Sequence, residues 1–234
     1  GGIGNTTLAK LVFNHTQFKD YSRVWVYVSR TFDLIKIGNS IVSQVSEEQS
    51  QMTDKEMIQR RLRKVLAGKK VLIVLDNLWE EDPSTLDELK SMLKVGEGGE
   101  VVVIITTRDE EIAKKIRTVE PYKIEPLTDD MCWTIIKHQS TFDDKPDQEK
   151  LELIGREIAK KCGGVALAAQ SIGYILQPMT FDEWESVKNS EIWNVLALQD
   201  ESSPNHVPAS LMLSYSSMPP YLKLCFAYCA LFPE

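Results

Sequence analysis

The chain has 234 residues, of which 43% are hydrophobic and 26% are charged, and its formal net charge is -7. This composition is ordinary for a globular protein of one or two domains, and the negative charge argues against a nucleic-acid-binding surface, which needs clustered lysine and arginine. The four cysteines lie within apolar helical patterns and not at the close spacings of a secreted disulfide framework, so we expect a reducing, intracellular compartment. No apolar run in the sequence approaches membrane-spanning length.

The first seven residues, Gly1–Thr7 (GGIGNTT), match the end of the phosphate-loop pattern G-x-x-x-x-G-K-[ST]. In that pattern backbone N–H groups surround the phosphates, the lysine neutralises them and the hydroxyl binds Mg²⁺. Gly4 and Thr6 keep their positions, whereas Asn5 stands where the lysine is expected. The loop lacks its first glycine, so we expect a piece of a longer protein. Alone, the stretch is equally consistent with a helix that begins after a glycine turn.

Short β-branched runs follow, separated by helical patterns. They cover Arg23–Ser29, Val71–Leu75 and Val101–Thr106, with a shorter run at Tyr122–Ile124. Because these runs are apolar on both faces, they are typical of parallel strands covered by helices on both sides. The alternation predicts an α/β domain over residues 1–125, with the doubly wound parallel sheet of a P-loop NTPase and its first strand missing.

One helix between these strands has clear end signals. Thr53 and Glu56 fit a capping box, and Gly68 fits a left-handed stop. Apolar residues at helical spacing between these signals predict one buried face, formed by Met57, Ile58, Leu62, Val65 and Leu66.

Beyond about residue 126 the apolar spacing becomes helical. Thr128, followed by two aspartates, predicts one helix start, and Thr180 with Glu183 predicts another. We therefore predict a small helical domain over residues 126–203 and the start of a winged-helix domain over 204–234. Between these two predicted helix starts, apolar residues at helical spacing indicate two further helices. They cover 151–162 and, after a break at Gly163-Gly164, 165–176.

The run Val71–Leu75 ends in Asp76, as in the acidic strand that holds Mg²⁺ opposite a phosphate loop. An apolar strand ending in aspartate is common by itself, but together with the glycine-rich start it points to a nucleotide site. Asp76 is the candidate catalytic residue, and Asp76 and Thr6 are the candidate Mg²⁺ ligands. In hydrolysing ATPases a second acidic group commonly follows, whereas Asn77 cannot accept a proton.

Arg108 follows the run Val101–Thr106. A strand-end arginine on the ligand-binding edge of an open sheet can reach a γ-phosphate, and an ordinary surface arginine is an equally good interpretation. Cys225 and Cys229 lie four apart on a helix but alternate with apolar residues, which favours core packing over a metal site. The three histidines show no metal-ligand or nucleophile spacing.

Together and in this order, these motifs resemble the NB-ARC domain of plant NLR immune receptors over essentially the whole chain. Leu75–Trp79 (LDNLW) is similar to the kinase-2 motif, and its tryptophan resembles the coiled-coil branch of receptors and not the TIR branch. Cys162–Ala168 (CGGVALA) resembles the GLPLA motif, and Leu222–Glu234 resembles the entry to the winged helix. Further similar segments are Phe18–Asp33, Val103–Arg108 and Tyr122–Trp133.

The resemblance implies an ADP/ATP-dependent conformational switch with Mg²⁺. Three departures weaken it: Asn5 replaces the phosphate lysine, Asn77 replaces the second kinase-2 aspartate, and Ala166 replaces the GLPLA proline that packs against adenine. We therefore expect weakened nucleotide binding and, at most, slow ATP hydrolysis. The nucleotide contacts that the resemblance assigns are Gly2, Ile3, Gly4, Asn5, Thr6, Thr7, Arg108, Ala166 and Leu167.

The resemblance also implies partners: flanking coiled-coil and leucine-rich-repeat modules, and homo- or hetero-oligomers with other NLRs. We expect no nucleic-acid partner and no membrane segment, for the reasons of charge and apolar length given above, and a cytoplasmic location, with the nucleus and the inner face of the plasma membrane as alternatives. The alternative function is a degenerate, non-cycling receptor or pseudogene-derived fragment that acts, if at all, as a protein-interaction scaffold.

Overall fold

A computed structural model describes residues 2–94, 98–191, 193 and 206–232, with the backbone alone at 206–210 and 217. The chain divides into two compact units, Asn5–Lys123 and Gly1–Gly4 with Ile124–Glu234. The domain limits given above stay predictions, and the limit at residue 203 lies outside the described residues.

A three-stranded parallel sheet forms the centre of the unit Asn5–Lys123. β1 (Ser22–Tyr27) pairs with β2 (Lys70–Leu78), and β2 pairs with β3 (Glu100–Thr107). These are the three long runs predicted from the sequence, and the α/β class of the P-loop NTPase type is confirmed. The connecting helices are α1 (Asn5–Phe13), α2 (Leu34–Ser46), α3 (Lys55–Leu66), α4 (Pro83–Leu93) and α5 (Glu110–Ile116), with a 3-10 turn at Thr16–Phe18.

The central and outer strands differ in burial. β2 is buried from Val71 to Asp76, whereas β3 is half-buried from Val101 to its end. β2 lies between two strands and has helices packed beside it, while β3 has one neighbour among the described residues. The hydrophobic core of this unit therefore centres on β2.

The short strand predicted at Tyr122–Ile124 is wrong. No strand is assigned between residues 117 and 128, all of which are described, and Tyr122 is 82% exposed. Apolar content alone does not make a strand, because the backbone also needs a hydrogen-bonded neighbour. Among the described residues, β3 pairs only with β2.

The predicted start of α3 is also wrong by one residue. Asp54, and not Thr53, is the N-cap, and its carboxylate accepts a hydrogen bond from the Met57 N–H at 2.9 Å. Aspartate caps as well as threonine does, so the helix begins after the second candidate. The predicted face is confirmed at four positions, since Ile58, Leu62, Val65 and Leu66 are buried, but Met57 is 55% exposed.

All the regular elements assigned in the described part of the other unit are helices. As predicted, Thr128 caps its first helix, and Glu183 accepts a hydrogen bond from the Thr180 N–H at 2.7 Å at the start of the fourth. The elements are α6 (Asp129–Gln139), a 3-10 turn (Phe142–Asp144), α7 (Gln148–Lys161), α8 (Ala166–Leu176), α9 (Phe181–Lys188), α10 (His206–Ser217) and α11 (Pro220–Cys229). None of the described helices of the chain has the length and apolar character needed to span a membrane.

Two glycines let the helices of this unit approach closely. A Cβ at Gly155 of α7 would lie 2.1 Å from Cζ3 of Trp133 on α6, a side chain that is only 2% exposed. A Cβ at Gly173 of α8 would lie 2.5 Å from the Cβ of Gln139. The absence of a side chain at these positions sets the spacing of α6, α7 and α8.

The cysteines fall into two groups. Cys132 and Cys162 are buried, and their burial raises the pKa of both thiols above the ordinary value. Cys225 and Cys229 are exposed, so the expected core packing is wrong for them. Most side chains of α11 are exposed; that of Phe226, for example, is 62% exposed. No cluster of three or more His, Cys, Asp or Glu suited to a metal ion occurs within the described residues.

Candidate nucleotide site

A bulge at the end of β2 positions Asp76. Leu75 pairs with Ile105 but Leu78 pairs with Thr107, so β2 has one extra residue in this stretch. Asn77 takes a φ of 69°, in the left-handed region that asparagine tolerates better than most residues. Bulges of this kind interrupt the alternation of side chains at the end of a strand. The Asp76 side chain is buried at the carboxyl edge of the sheet, only 4% exposed.

Two threonine hydroxyls hold the Asp76 carboxylate. Thr6 Oγ1, from the first turn of α1, donates to Asp76 Oδ1 at 2.9 Å and lies 3.3 Å from Oδ2. Thr106 Oγ1, from β3, donates to Asp76 Oδ1 at 2.6 Å and accepts from the Asn77 N–H at 2.8 Å. One buried carboxylate therefore joins α1, β2 and β3.

This cluster fits a hard cation. Mg²⁺ is bound by carboxylate and hydroxyl oxygens, and it usually uses one or two protein oxygens together with substrate phosphates. Thr6 and Asp76, which the sequence proposes as metal ligands, are brought within hydrogen-bond distance of each other. Their use as ligands stays a prediction, and so does the catalytic role of Asp76.

Asn5 is the first residue of α1, and its side chain faces the sheet. Its Nδ2 donates to the carbonyl oxygen of Thr107, at the end of β3, at 3.0 Å. The amide is neutral and one of its N–H groups is already used by the protein. The position thus supplies no cation for a phosphate, while it fixes the start of α1 to the end of β3.

Asn77 is likewise engaged within the protein. Its Nδ2 donates to the hydroxyl of Tyr27, at the end of β1, at 3.0 Å. The neutral amide has no basic oxygen that could take a proton from water.

Arg108 lies on the exposed surface just after β3. Its guanidinium carbon is 5.4 Å from the ring centroid of Trp79, the residue that follows β2. The guanidinium carbon of Arg30, which follows β1, is 5.5 Å from the same ring. Both distances are those of cation–π contacts.

In the other unit, Gly2 contacts the start of α8. Its φ is 79°, and a Cβ there would lie 2.8 Å from the Cβ of Leu167. The Leu167 N–H donates to the Gly2 carbonyl oxygen at 3.0 Å. Ala166 is the first residue of α8, the position at which helices favour proline, so the GLPLA proline could occupy it without distortion.

The remaining predicted site residues lie around the start of α1. Gly4 takes a φ of 119°, which only glycine adopts readily. Ile3 is half-buried, and Thr7 is exposed on the first turn of α1.

Sequence reasoning missed three contributors: the hydroxyl of Thr106, the carbonyl of Thr107 and the hydroxyl of Tyr27. The signal for the first was present, because Thr106 is the last residue of the predicted run Val101–Thr106, which corresponds to the neighbour of β2. Its contact with Asp76 joins residues on two different strands, which the sequence pattern does not reveal.

A parallel α/β sheet, a helix that begins directly after a glycine-rich loop, and an acidic residue at the end of the central strand define a domain of the P-loop NTPase type. A family model described as the NB-ARC domain matches residues 1–145. The chain belongs to the NB-ARC family, which is a family of nucleotide-binding domains.

The similar proteins are plant disease-resistance proteins by name. The chain is 37% identical over 237 residues to putative disease resistance protein RGA1 and 38% identical over 239 residues to disease resistance protein RGA2, both from Solanum bulbocastanum. It is 33% identical over 244 residues to putative disease resistance RPP13-like protein 1 of Arabidopsis thaliana. The alignments cover 100% of this chain but 24%, 24% and 22% of the relatives, so the chain spans about a quarter of their length.

Proposed function

We propose that the chain is the adenine-nucleotide-binding switch region of an intracellular plant immune receptor of the coiled-coil NLR type, with nucleotide binding weakened by Asn5. The observation that carries the proposal is the contact of Thr6 with Asp76 at 2.9 Å. It unites the hydroxyl of a phosphate loop with the acidic end of the neighbouring strand, the two protein groups that hold Mg²⁺ in P-loop NTPases.

The remaining assignments extend this pair. The helix α1 begins at Asn5, directly after the glycine-rich stretch, and a helix N-terminus favours phosphate. Mg²⁺ bound by Thr6 and Asp76 would neutralise phosphate charge. The proposed phosphate contacts are Gly2 to Thr7 and Arg108, and the proposed adenine contacts are Ala166 and Leu167.

Asn5 is the reason to expect weak binding. A charge-assisted hydrogen bond contributes about 1.5–3 kcal/mol, and every ~1.4 kcal/mol is tenfold in affinity. Lacking the lysine contact, the protein should bind nucleotide roughly ten- to a hundredfold more weakly than an Asn5→Lys variant.

The test compares ADP affinities by titration with a fluorescent ADP in the protein that contains this chain. Asn14→Lys is the matched control, because it adds the same charge directly after the far end of α1 on an exposed residue. We expect Asn5→Lys to tighten binding and Asn14→Lys to change it little. Equal ADP affinities in Asn5→Lys and the unmodified protein would show that Asn5 does not weaken nucleotide binding.

We also expect the protein to hydrolyse ATP very slowly or not at all. Neither a lysine at residue 5 nor a carboxylate at residue 77 is present, so ATP turnover should remain at background. Asn5→Lys should restore binding more than rate, because Asn77 remains unable to act as a base. Multiple-turnover ATPase activity in the unmodified protein that Asp76→Ala abolishes would contradict this expectation.

The alternative is a non-cycling receptor or pseudogene-derived fragment that acts through protein contacts. The observation that favours it is that the amides of Asn5 and Asn77 are both bonded within the protein, to Thr107 and Tyr27. An absence of ADP binding in both the unmodified protein and Asn5→Lys would support it. Intact flanking modules and an open reading frame would favour the switch.

A further inference from the structure

One edge of β1 has no neighbouring strand among the described residues. β1 pairs with β2 along its other edge. Directly after β1, the Val28 N–H donates to the Asp76 carbonyl oxygen of β2 at 2.8 Å. Successive residues of a strand direct their N–H and C=O groups to opposite sides, so Trp25 and Tyr27 direct theirs to the free edge.

A glutamine side chain occupies part of this free edge. The Trp25 N–H donates to Oε1 of Gln44, on α2, at 3.1 Å, and Nε2 of Gln44 donates to the Trp25 carbonyl oxygen at 3.1 Å. Nε2 also donates to Ser40 Oγ at 3.0 Å. A primary amide carries the C=O and N–H groups of a peptide bond. The Gln44 amide therefore offers Trp25 the two hydrogen bonds that a neighbouring strand would offer.

A cavity of about 220 Å³ adjoins the same edge, between β1 and α2. Three buried apolar residues are part of its lining, Val26, Val28 and Ile37, together with Tyr27 and Ser40. A cavity of about 150 Å³ is large enough to hold benzene, so this volume has room for one apolar side chain of the size of leucine.

We propose that the groove between the free edge of β1 and α2 binds an extended peptide as an additional strand, and that the peptide displaces the Gln44 amide. The α2 side of this groove is formed by Lys36, Ser40 and Gln44, which lie four residues apart on one face of the helix. The peptide carries one apolar residue for the cavity and an acidic residue close to it. This inference goes beyond the proposed function and does not depend on nucleotide binding.

The spacing along β1 connects the amide position with the cavity. Alternate residues of a strand lie about 6.6 Å apart, so a peptide that replaces the Gln44 amide at Trp25 reaches Tyr27, beside the cavity, with its next edge-facing residue. In strand addition the main-chain hydrogen bonds give affinity and the pockets for side chains give specificity. Gln44 is exposed, so exchanging its hydrogen bonds for those of a peptide costs little free energy.

Charge complementarity favours an acidic peptide. Asp33 and Lys36 are the charged residues that line the cavity. The Asp33 carboxylate caps α2 by accepting hydrogen bonds from the Ile35 and Lys36 N–H groups at 2.9 Å and 3.1 Å, so the helix N-terminus offsets its charge. The Lys36 ammonium lies 3.8 Å from Asp33 on a side chain that is 80% exposed, and such an ion pair contributes little. Lys36 can therefore pair with a carboxylate of the peptide.

The first experiment probes an array of short synthetic peptides with the protein that contains this chain. The peptides consist of threonine except for a central leucine, threonine or proline and, next but one to it, glutamate or lysine. We expect the peptide with leucine and glutamate to bind best and those with proline to bind least, because proline lacks an N–H group for the edge. Absence of binding to every peptide, or equal binding of the leucine and proline peptides, would overturn the proposal.

Backbone methylation distinguishes strand addition from other modes of peptide binding. The peptide with leucine and glutamate, labelled with fluorescein, is titrated in solution beside copies that are methylated at one backbone nitrogen each. Methylation of the nitrogens that face β1 should weaken binding about tenfold or more, whereas methylation of the alternate nitrogens should change it by less than about twofold. Losses that do not alternate along the peptide would show that it does not bind as a strand.

Three variants test the contributions of Gln44 and Lys36. Gln44→Ala should tighten peptide binding about three- to tenfold, because the glutamine no longer competes for Trp25. Gln49→Ala is the matched control, since it removes an exposed glutamine outside the groove and should leave the affinity unchanged. Lys36→Glu should reverse the preference from the glutamate peptide to the lysine peptide.

An unchanged affinity in Gln44→Ala, or an unchanged charge preference in Lys36→Glu, would contradict the proposal. Sedimentation of Gln44→Ala provides a further check. Self-association that excludes the peptide would assign the free edge of β1 to a second copy of the chain and would overturn the peptide as its occupant.

Discussion

The two units of the chain bury their polar and apolar groups in different ways. Among the described residues, two polar side chains are buried, Asp76 in the sheet unit and Ser140 in the helical unit. Asp76 joins three separate segments through threonine hydroxyls, whereas the Ser140 hydroxyl points back to the carbonyl of Lys137 in its own helix. The sheet unit thus places a charged group at the meeting point of its elements, and the helical unit uses its polar group locally.

This difference predicts different sensitivities to mutation. The helical unit depends on steric fit, because glycines set the approach of its helices. The sheet unit depends, at the carboxyl edge of its sheet, on hydrogen bonds that a shape-conserving substitution would break. The following substitutions test that distinction.

The largest effect should follow from Gly155→Val. Its Cβ would overlap the Trp133 ring, which is 2% exposed and has no room to move away. We expect a loss of about 3 kcal/mol or more in the free energy of unfolding, measured by urea denaturation. Leu153→Val is the matched control, because it places valine on an exposed position of α7 and should cost less than about 1 kcal/mol. Equal stability of the two variants would disprove the steric account.

A smaller effect should follow from Thr106→Val, which conserves shape. It removes the donor to Asp76 and the acceptor of the Asn77 N–H. Leaving these partners without a hydrogen bond should cost about 1–3 kcal/mol in urea denaturation. Thr106→Ser keeps the hydroxyl and should cost less; if it is as destabilising as Thr106→Val, packing of the methyl group and not the hydrogen bonds holds the cluster.

The smallest effect should appear at Asp82, the N-cap of α4. Hydrogen bonds from the hydroxyls of Ser84 and Thr85 and from the Thr85 N–H lower the pKa of Asp82 from 3.8 to about 2. The stability that this shift contributes is therefore fully present above the unfolded pKa and is lost as the pH falls through about 2. Asp82→Asn keeps a capping side chain but does not titrate. The difference in melting temperature between the two proteins should shrink as the pH is lowered toward 2, and a constant difference would contradict the assignment.

The fold was predictable where the pattern is local. β1, β2 and β3 read as apolar runs because both of their faces contact other elements, and the caps at Thr128 and Thr180 are properties of a few adjacent residues. The run at Tyr122–Ile124 shows the limit of this reasoning. Whether an apolar tripeptide becomes a strand depends on a distant neighbour.

The residues of the candidate site likewise fall into two groups, those that a local motif predicts and those that only the folded structure brings together. Thr6 and Asp76 were identified because each sits in a motif with a known spacing. Thr106 and the stacking of Trp79 were not, because they depend on the ends of neighbouring strands meeting in space. Such contacts join residues that are far apart in sequence and carry no periodic signal.

The contact of Gly2 with Leu167 affects how the start of α8 can be studied. Val165, the N-cap of α8, makes no side-chain capping hydrogen bond, and the acceptor for the Leu167 N–H is a main-chain oxygen. Because every amino acid carries that carbonyl, an alanine scan cannot delete the bond, and a substitution at Gly2 would act through the overlap of its Cβ with Leu167 and through its φ of 79°. Replacing the Leu167 amide by an ester would remove the donor directly, and amide hydrogen exchange would report the bond without any substitution.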